Sequence, residues 1–88
     1  MNADFHKSFD KQFMKLPAKQ QLRVRQAVKK FLQNPKDPEL YNHPLKGGWR
    51  GYRSISAAGD LRLHFKELSR DRVMFVAVGS HSQLYLYK

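Results

Sequence analysis

Three residues that can transfer protons stand at turn-like positions: His43 precedes a proline, Asp60 follows a glycine, and His81 lies in a Gly-Ser-His-Ser segment. Imidazole and carboxylate groups are common general acids and bases. Cleavage of RNA needs a base for the 2′-hydroxyl, a cation for the charge on phosphorus and an acid for the leaving oxygen. The sequence therefore contains groups suited to acid–base work on a phosphate ester.

Each of these residues also has a structural interpretation. His43 can cap a loop, Asp60 is an ordinary turn residue, and His81 can be a turn histidine. Taken singly, residue type favours the structural role for His43 and Asp60. A catalytic role needs further support from the elements that position them.

Hydrophobic periodicity predicts two helices in the first part of the chain. Residues 3–16 carry phenylalanines on one helical face, although residues 4–6 can instead begin as a short strand. Residues 18–33 fit the i, i+3, i+4, i+7 pattern, and Asn34-Pro35 ends this helix. Residues 34–48 hold three of the four prolines and are predicted to form a long connection.

After this connection the apolar period changes to two, which is typical of strands. Residues 49–56 and 61–66 are predicted as two strands joined by a turn, and residues 73–78 as a central strand that is apolar on both faces. Residues 84–87 are predicted to form a last short strand. The sequence thus predicts an α+β domain in which two helices cover one face of a small antiparallel sheet.

The other face of that sheet is expected to be open and cationic. Alternation along the second strand places three basic side chains there: Arg62, His64 and Lys66. Lys and Arg total 17 against 7 for Asp and Glu, a formal net charge of +10, which indicates a polyanionic partner. Nucleic acid is favoured over a membrane surface, because no basic segment has a wide apolar face.

Length and composition limit the remaining classes. The 88 residues fit one domain, residues 1–88, and the absence of cysteine excludes disulfides and thiolate chemistry. The four histidines lack the spacing of a metal site. The longest apolar run, residues 73–78, is far shorter than a membrane span and no signal peptide is visible, so we expect a cytoplasmic protein.

Three segments within residues 43–85 form a recognisable set: HPLKGGWRGYR from His43, GDLRLHF from Gly59 and VGSHSQLY from Val78. Together they resemble the RelE/ParE toxin superfamily and its YafQ branch in particular, with a RelE-like fold. The resemblance covers about half of the chain. The motifs are specific in combination, and each one alone is weak.

This resemblance implies a bacterial type II toxin that cuts mRNA in the ribosomal A site through a 2′,3′-cyclic phosphate, without metal or other cofactor. The implied partners are mRNA, rRNA and a cognate antitoxin protein. Position by position, it implies catalytic roles for five residues: His43, Asp60, Arg62, His81 and Tyr85. His81 matches the histidine that protonates the leaving 5′-oxygen, and Arg62 matches an arginine that stabilises phosphate charge.

RNA-binding roles are expected for basic residues around these positions: Lys46, Arg50, Arg53, His64 and Lys66. The YafQ branch has a further histidine where this chain has Ser56. Either His43 or Asp60 is then the candidate base, and His64 on the adjacent strand is a candidate replacement for the missing imidazole. Trp49 is expected to be a core residue.

Two other functions remain open at this point. A ParE-like toxin shares the fold and inhibits DNA gyrase by binding, without an acid–base pair. A non-enzymatic RNA- or ribosome-binding module would use only the basic face.

Overall fold

A mixed five-stranded sheet and three helices make up residues 1–86, the part of the chain that the computed structural model describes. The strands are β1 (Asn2–Phe5), β2 (His43–Pro44), β3 (Arg53–Ala58), β4 (Leu61–Ser69) and β5 (Arg72–Ser80). The helices are α1 (Lys7–Met14), α2 (Ala18–Gln33) and α3 (His81–Leu86), and single 3₁₀ turns occupy Pro38–Leu40 and Gly47–Trp49. None of the helices within these residues is long and apolar enough to cross a membrane.

The strand order is β1-β5-β4-β3-β2. The α+β class with helices packed on the sheet is confirmed, but the sheet is not wholly antiparallel, because β1 pairs in parallel with β5. Residues 3–5 of the predicted helix region therefore belong to the sheet. The His6 ring accepts a hydrogen bond from the Ser8 backbone N–H and caps α1, which begins at Lys7.

The hydrophobic core lies between the sheet and the two long helices. Helix α2 has the predicted bounds and buries Val24, Ala27 and Phe31. The Phe31 ring lies edge-on to Phe65 and Phe75, with centroid separations of 4.9 and 5.5 Å. Leu63, Phe65 and their neighbours on β5 thus form the floor on which the helices pack.

The predicted connection over residues 34–48 has local structure. Asp37 caps the first 3₁₀ turn by accepting a hydrogen bond from the Glu39 N–H at 2.9 Å, and Leu40 and Leu45 are buried. The strand predicted from residue 49 begins only at Arg53, because Gly47–Trp49 form a 3₁₀ turn and Gly51 takes a φ of +94°. Strand β3 then continues to Ala58, beyond the predicted end.

Residues 84–86 belong to helix α3, so the strand predicted over residues 84–87 was wrong. Residue 87 lies outside the described part of the chain. Ser80 and Gln83 cap α3 reciprocally: the Ser80 hydroxyl accepts from the Gln83 N–H at 3.1 Å, and the Gln83 amide oxygen accepts from the Ser80 N–H at 2.9 Å. A Cβ on Gly79 would lie 2.9 Å from that amide oxygen. Gly79 therefore allows α3 to turn back closely onto the sheet.

Candidate active site

His81 and Tyr85 lie one helical turn apart on α3, so their side chains share a face. Their ring centroids are 4.4 Å apart. His81 is exposed, and its backbone N–H donates to the Asp60 carbonyl oxygen at 3.2 Å. This bond places the start of α3 beside the turn between β3 and β4. His81 therefore opens a helix and does not lie in a simple turn.

Arg62 is held against that same turn. Its Nη1 donates to the Gly59 carbonyl at 2.8 Å and to the Leu61 carbonyl at 3.3 Å. Across the sheet it pairs with Ser56 of β3. The guanidinium is thus fixed next to the residue before Asp60, with donors left for an anion because it has five N–H groups.

His43 occupies the short edge strand β2, opposite Ser54. Its Nδ1 lies 2.7 Å from the Tyr41 carbonyl oxygen. Because a carbonyl can only accept, Nδ1 carries the proton in the neutral ring, and Nε2 keeps the lone pair that a general base needs. His43, Ser56 and Arg62 line one depression of about 450 Å³.

Asp60 is exposed and lines a different depression, of about 560 Å³. Three basic residues from the end of α1 and from α2 line this second depression: Lys15, Lys19 and Arg23. The structure therefore brings Arg62 and His43 together and joins Asp60 to His81 through the backbone. It does not place the Asp60 carboxylate in the depression that contains His43.

His64 is fully buried, with 0% of its surface exposed, so the expectation that it lies on an exposed strand face was wrong. The alternation does place it on the face away from α1 and α2, opposite Ser54. Trp49 covers it at a centroid distance of 4.4 Å, and Tyr85 lies at 5.7 Å. Burial, together with the smaller effect of positive charge on His43, His81 and Arg62, lowers the pKa of His64 to about 4. The ring is therefore uncharged near neutral pH.

This buried imidazole predicts a specific pH dependence of stability. The folded pKa of about 4 lies below the ordinary value of 6.5, so the unfolded chain binds a proton that the folded chain does not. His64 then lowers the free energy of unfolding as pH falls from about 6.5 towards 4. Between pH 7 and pH 5 we expect the free energy of unfolding of the wild type to fall by at most about 2 kcal/mol more than that of His64→Phe.

Urea unfolding of both proteins at the two pH values measures this difference. Titration of all other groups is common to both chains and cancels in the comparison. An identical pH dependence for wild type and His64→Phe would contradict the buried, uncharged ring.

The remaining expected RNA-binding residues have different environments. Lys46, Arg50 and Lys66 are exposed, and the Lys66 ammonium lies 5.8 Å from the centroid of the Tyr52 ring. Arg53 is half-buried, and its Nε donates to the Asn42 side chain at 2.8 Å. Arg53 therefore also anchors the connection that carries His43.

Trp49 was expected to be a core residue, and in the structure it also joins two segments of the chain through a hydrogen bond. It is half-buried, and its Nε1 donates to the Leu84 carbonyl at 3.1 Å. It thereby ties the second 3₁₀ turn to α3 across the face that carries His64. Ser54, buried opposite His64, was likewise not singled out from the sequence. The Trp49 bond has no local sequence signal, because it joins residues 35 positions apart along the chain.

The comparisons with known proteins agree with this architecture. The crystal structure of YafQ from E. coli strain BL21(DE3) has a TM-score of 0.77 at 24% identity, covering 96% of this chain and 97% of that one. YafQ in the crystal structure of the E. coli DinJ-YafQ toxin–antitoxin complex gives 0.71 at 24% identity, with 96% of each chain covered. A metal-bound toxin from Helicobacter pylori gives 0.71 at 26% identity, covering 96% and 98%.

These likenesses define the fold as that of the RelE- and YafQ-like toxins. A family model described as "Bacterial toxin of type II toxin-antitoxin system, YafQ" matches residues 1–86. The chain belongs to the YafQ family of bacterial toxins. Among curated proteins, no sequence match is found.

Proposed function

We propose that this toxin is a ribosome-dependent mRNA endonuclease that uses the 2′-hydroxyl of its substrate as the nucleophile. The observation that carries the proposal is the His43 ring, whose Nδ1–H is tied to the Tyr41 carbonyl while it shares a depression with Arg62. That arrangement supplies a base and a phosphate-binding cation at one place. Membership of the YafQ toxin family supports the same conclusion.

In the proposed reaction, His43 Nε2 accepts the proton of the 2′-hydroxyl, and the 2′-oxygen attacks phosphorus. Arg62 binds the phosphate oxygens, whose charge increases in the transition state. His81 donates a proton to the departing 5′-oxygen, which leaves a 2′,3′-cyclic phosphate on the upstream fragment. Tyr85 stacks beside the His81 ring, and we assign it to orienting that ring and an adjacent base.

Asp60 has a smaller role in this scheme than His43. Asp60 lines the depression that also holds Lys15, Lys19 and Arg23, and it does not line the depression of His43 and Arg62, so the His43 ring is the better placed base. The Asp60 backbone carbonyl fixes the first residue of α3. We therefore propose that Asp60 contributes mainly through this backbone hydrogen bond, which positions the start of α3.

The proposed partners follow from charge and from the family. A formal net charge of +10 favours rRNA and mRNA phosphates as binding partners in the cytoplasm, with exposed Lys46, Arg50 and Lys66 among the contacts. E. coli YafQ has been crystallised in complex with DinJ as a toxin–antitoxin pair. We propose that an antitoxin with an acidic segment likewise neutralises this toxin.

Primer-extension mapping of cut sites on an mRNA tests the proposed function directly. With translating ribosomes present, we expect breaks confined to the translated frame. We expect few or none when ribosomes are omitted, because the ribosome holds the scissile nucleotide in the reactive geometry. Addition of the cognate antitoxin should remove the breaks. Intact mRNA in every reaction, with inhibition of DNA gyrase instead, would identify a ParE-like toxin.

A further inference from the structure

Four aromatic rings form a continuous column that ends at the surface: Trp49, His64, Tyr85 and His81. Successive centroids are 4.4, 5.7 and 4.4 Å apart. The column begins at Trp49, the last residue of the second 3₁₀ turn, and ends at the exposed imidazole of His81, which we propose as the acid. His64 is the member of this ring column that belongs to the sheet itself.

Packing alone holds the His64 ring in place. Both ring nitrogens are buried and have no hydrogen-bond partner within the described residues. An unpartnered buried polar atom is costly, so the position is not explained by stability. What the ring does provide is contact area with Trp49 on one side and Tyr85 on the other.

The geometry of α3 depends on that contact. This helix has six residues, too few to be rigid without tertiary support. Its attachments include the Ser80–Gln83 cap, the His81 N–H bond to the Asp60 carbonyl, the Trp49 bond to the Leu84 carbonyl and the packing of Tyr85 on His64. Because His81 and Tyr85 share one helical face and their ring centroids are 4.4 Å apart, the Tyr85 ring bounds one side of the space open to the His81 imidazole.

We propose that His64 is a positioning residue whose flat, uncharged ring supports Tyr85 and thereby orients His81 for proton donation. The kinetic part of this inference rests on the proposed function, and the geometric part does not. His64 itself takes no proton in the reaction, because no part of its side chain reaches the surface. Three groups around it carry or can carry positive charge, namely His43, His81 and Arg62, and a neutral ring avoids repulsion with all of them.

Two substitutions and one control separate ring shape from ring chemistry. His64→Phe keeps a flat ring and removes both unpartnered nitrogens. His64→Val suits a strand but removes the ring from the column. Ser54→Ala is the matched control, because it removes the other buried, unpartnered polar atom on this face and leaves the column intact.

We expect His64→Phe to unfold at a higher temperature than wild type and to keep kcat within about threefold, because no hydrogen bond is lost. His64→Val should lower kcat about tenfold and change KM by less than about twofold, since a misplaced acid affects the chemical step more than binding. Ser54→Ala should match wild type in both constants. Single-turnover and steady-state assays on programmed ribosomes give these values.

NMR of the His81 ring protons provides a readout that does not depend on cleavage. The Tyr85 ring, 4.4 Å away, shifts these resonances, and the His81→Ala spectrum assigns them. We expect unchanged shifts in His64→Phe and Ser54→Ala. In His64→Val the shifts should move towards those of an unstacked histidine.

The results divide into clear outcomes. Loss of activity in His64→Phe would overturn the proposal, because the nitrogens would then be required. Wild-type kcat and His81 shifts in His64→Val would also overturn it, because the ring would then be dispensable. If His64→Val does not fold, His64→Phe decides the question alone. If wild type cleaves no mRNA, the proposed function fails, and the His81 resonances still show whether His64 positions that ring.

Discussion

A single 2′-deoxy substitution at the nucleotide 5′ to the cut is expected to lower the cleavage rate by about 10³-fold or more. The substitution removes the attacking oxygen, and His43 Nε2 then has no hydroxyl proton to accept. Binding should change little, because the phosphates that contact Arg62 and the exposed cations are unaltered. Single-turnover cleavage and ribosome co-sedimentation, with deoxy and unmodified mRNA compared, measure the two effects separately.

The control for this experiment is a 2′-deoxy substitution one nucleotide downstream of the cut. That mRNA keeps the nucleophile and should be cleaved at the rate of unmodified mRNA. Normal cleavage of the upstream deoxy substrate would rule out the proposed mechanism. A nuclease that activates water would then be the correct class.

His81→Ala is expected to reduce cleavage by roughly 10²-fold or more while ribosome binding is retained. The side chain is exposed, and the backbone N–H that bonds to Asp60 remains in the variant. The Ser80–Gln83 cap of α3 is also unaffected. The fold should therefore survive, and the loss should appear in the rate of the chemical step.

Ser82→Ala is the matched control, since Ser82 is the next residue of the same short helix and is also exposed. It should cleave at the wild-type rate. Circular dichroism and co-sedimentation with ribosomes check the fold and the binding of both variants. A His81→Ala protein that is folded and cleaves at the wild-type rate would show that another group protonates the leaving oxygen.

Local periodicity was sufficient to predict the helices and strands that have a continuous apolar face. The bounds of α2 match the prediction because its apolar residues keep the helical period from Val24 to Leu32 and Asn34-Pro35 ends the pattern. Strand β1 was harder to predict, since Phe5 fits both a helical face and a strand and its pairing partner lies near residue 75. The sequence did contain one unused local signal: Ser80 and Gln83 have the spacing of a capping box, which predicts the start of α3.

The candidate site was predictable in residue identity and less so in geometry. Strand alternation correctly assigned His64 to the face away from α1 and α2. It could not indicate that Trp49 and Tyr85 cover that position, because both contacts depend on tertiary packing. The separation of Asp60 from the His43 depression is likewise a property of the turn between β3 and β4 that no motif spacing reports.

The parallel pairing of β1 with β5 also bears on the order of folding. Asn2–Phe5 aligns with residues 72–75, and the Ser8 hydroxyl donates to the Val76 carbonyl, so each contact closes a loop of almost the whole chain. Such closure has a high entropic cost and occurs late. His81 follows five residues after Val76. During synthesis the sheet and the proposed acid are therefore completed together, and the nascent toxin has no finished site before residues 72–81 have been made.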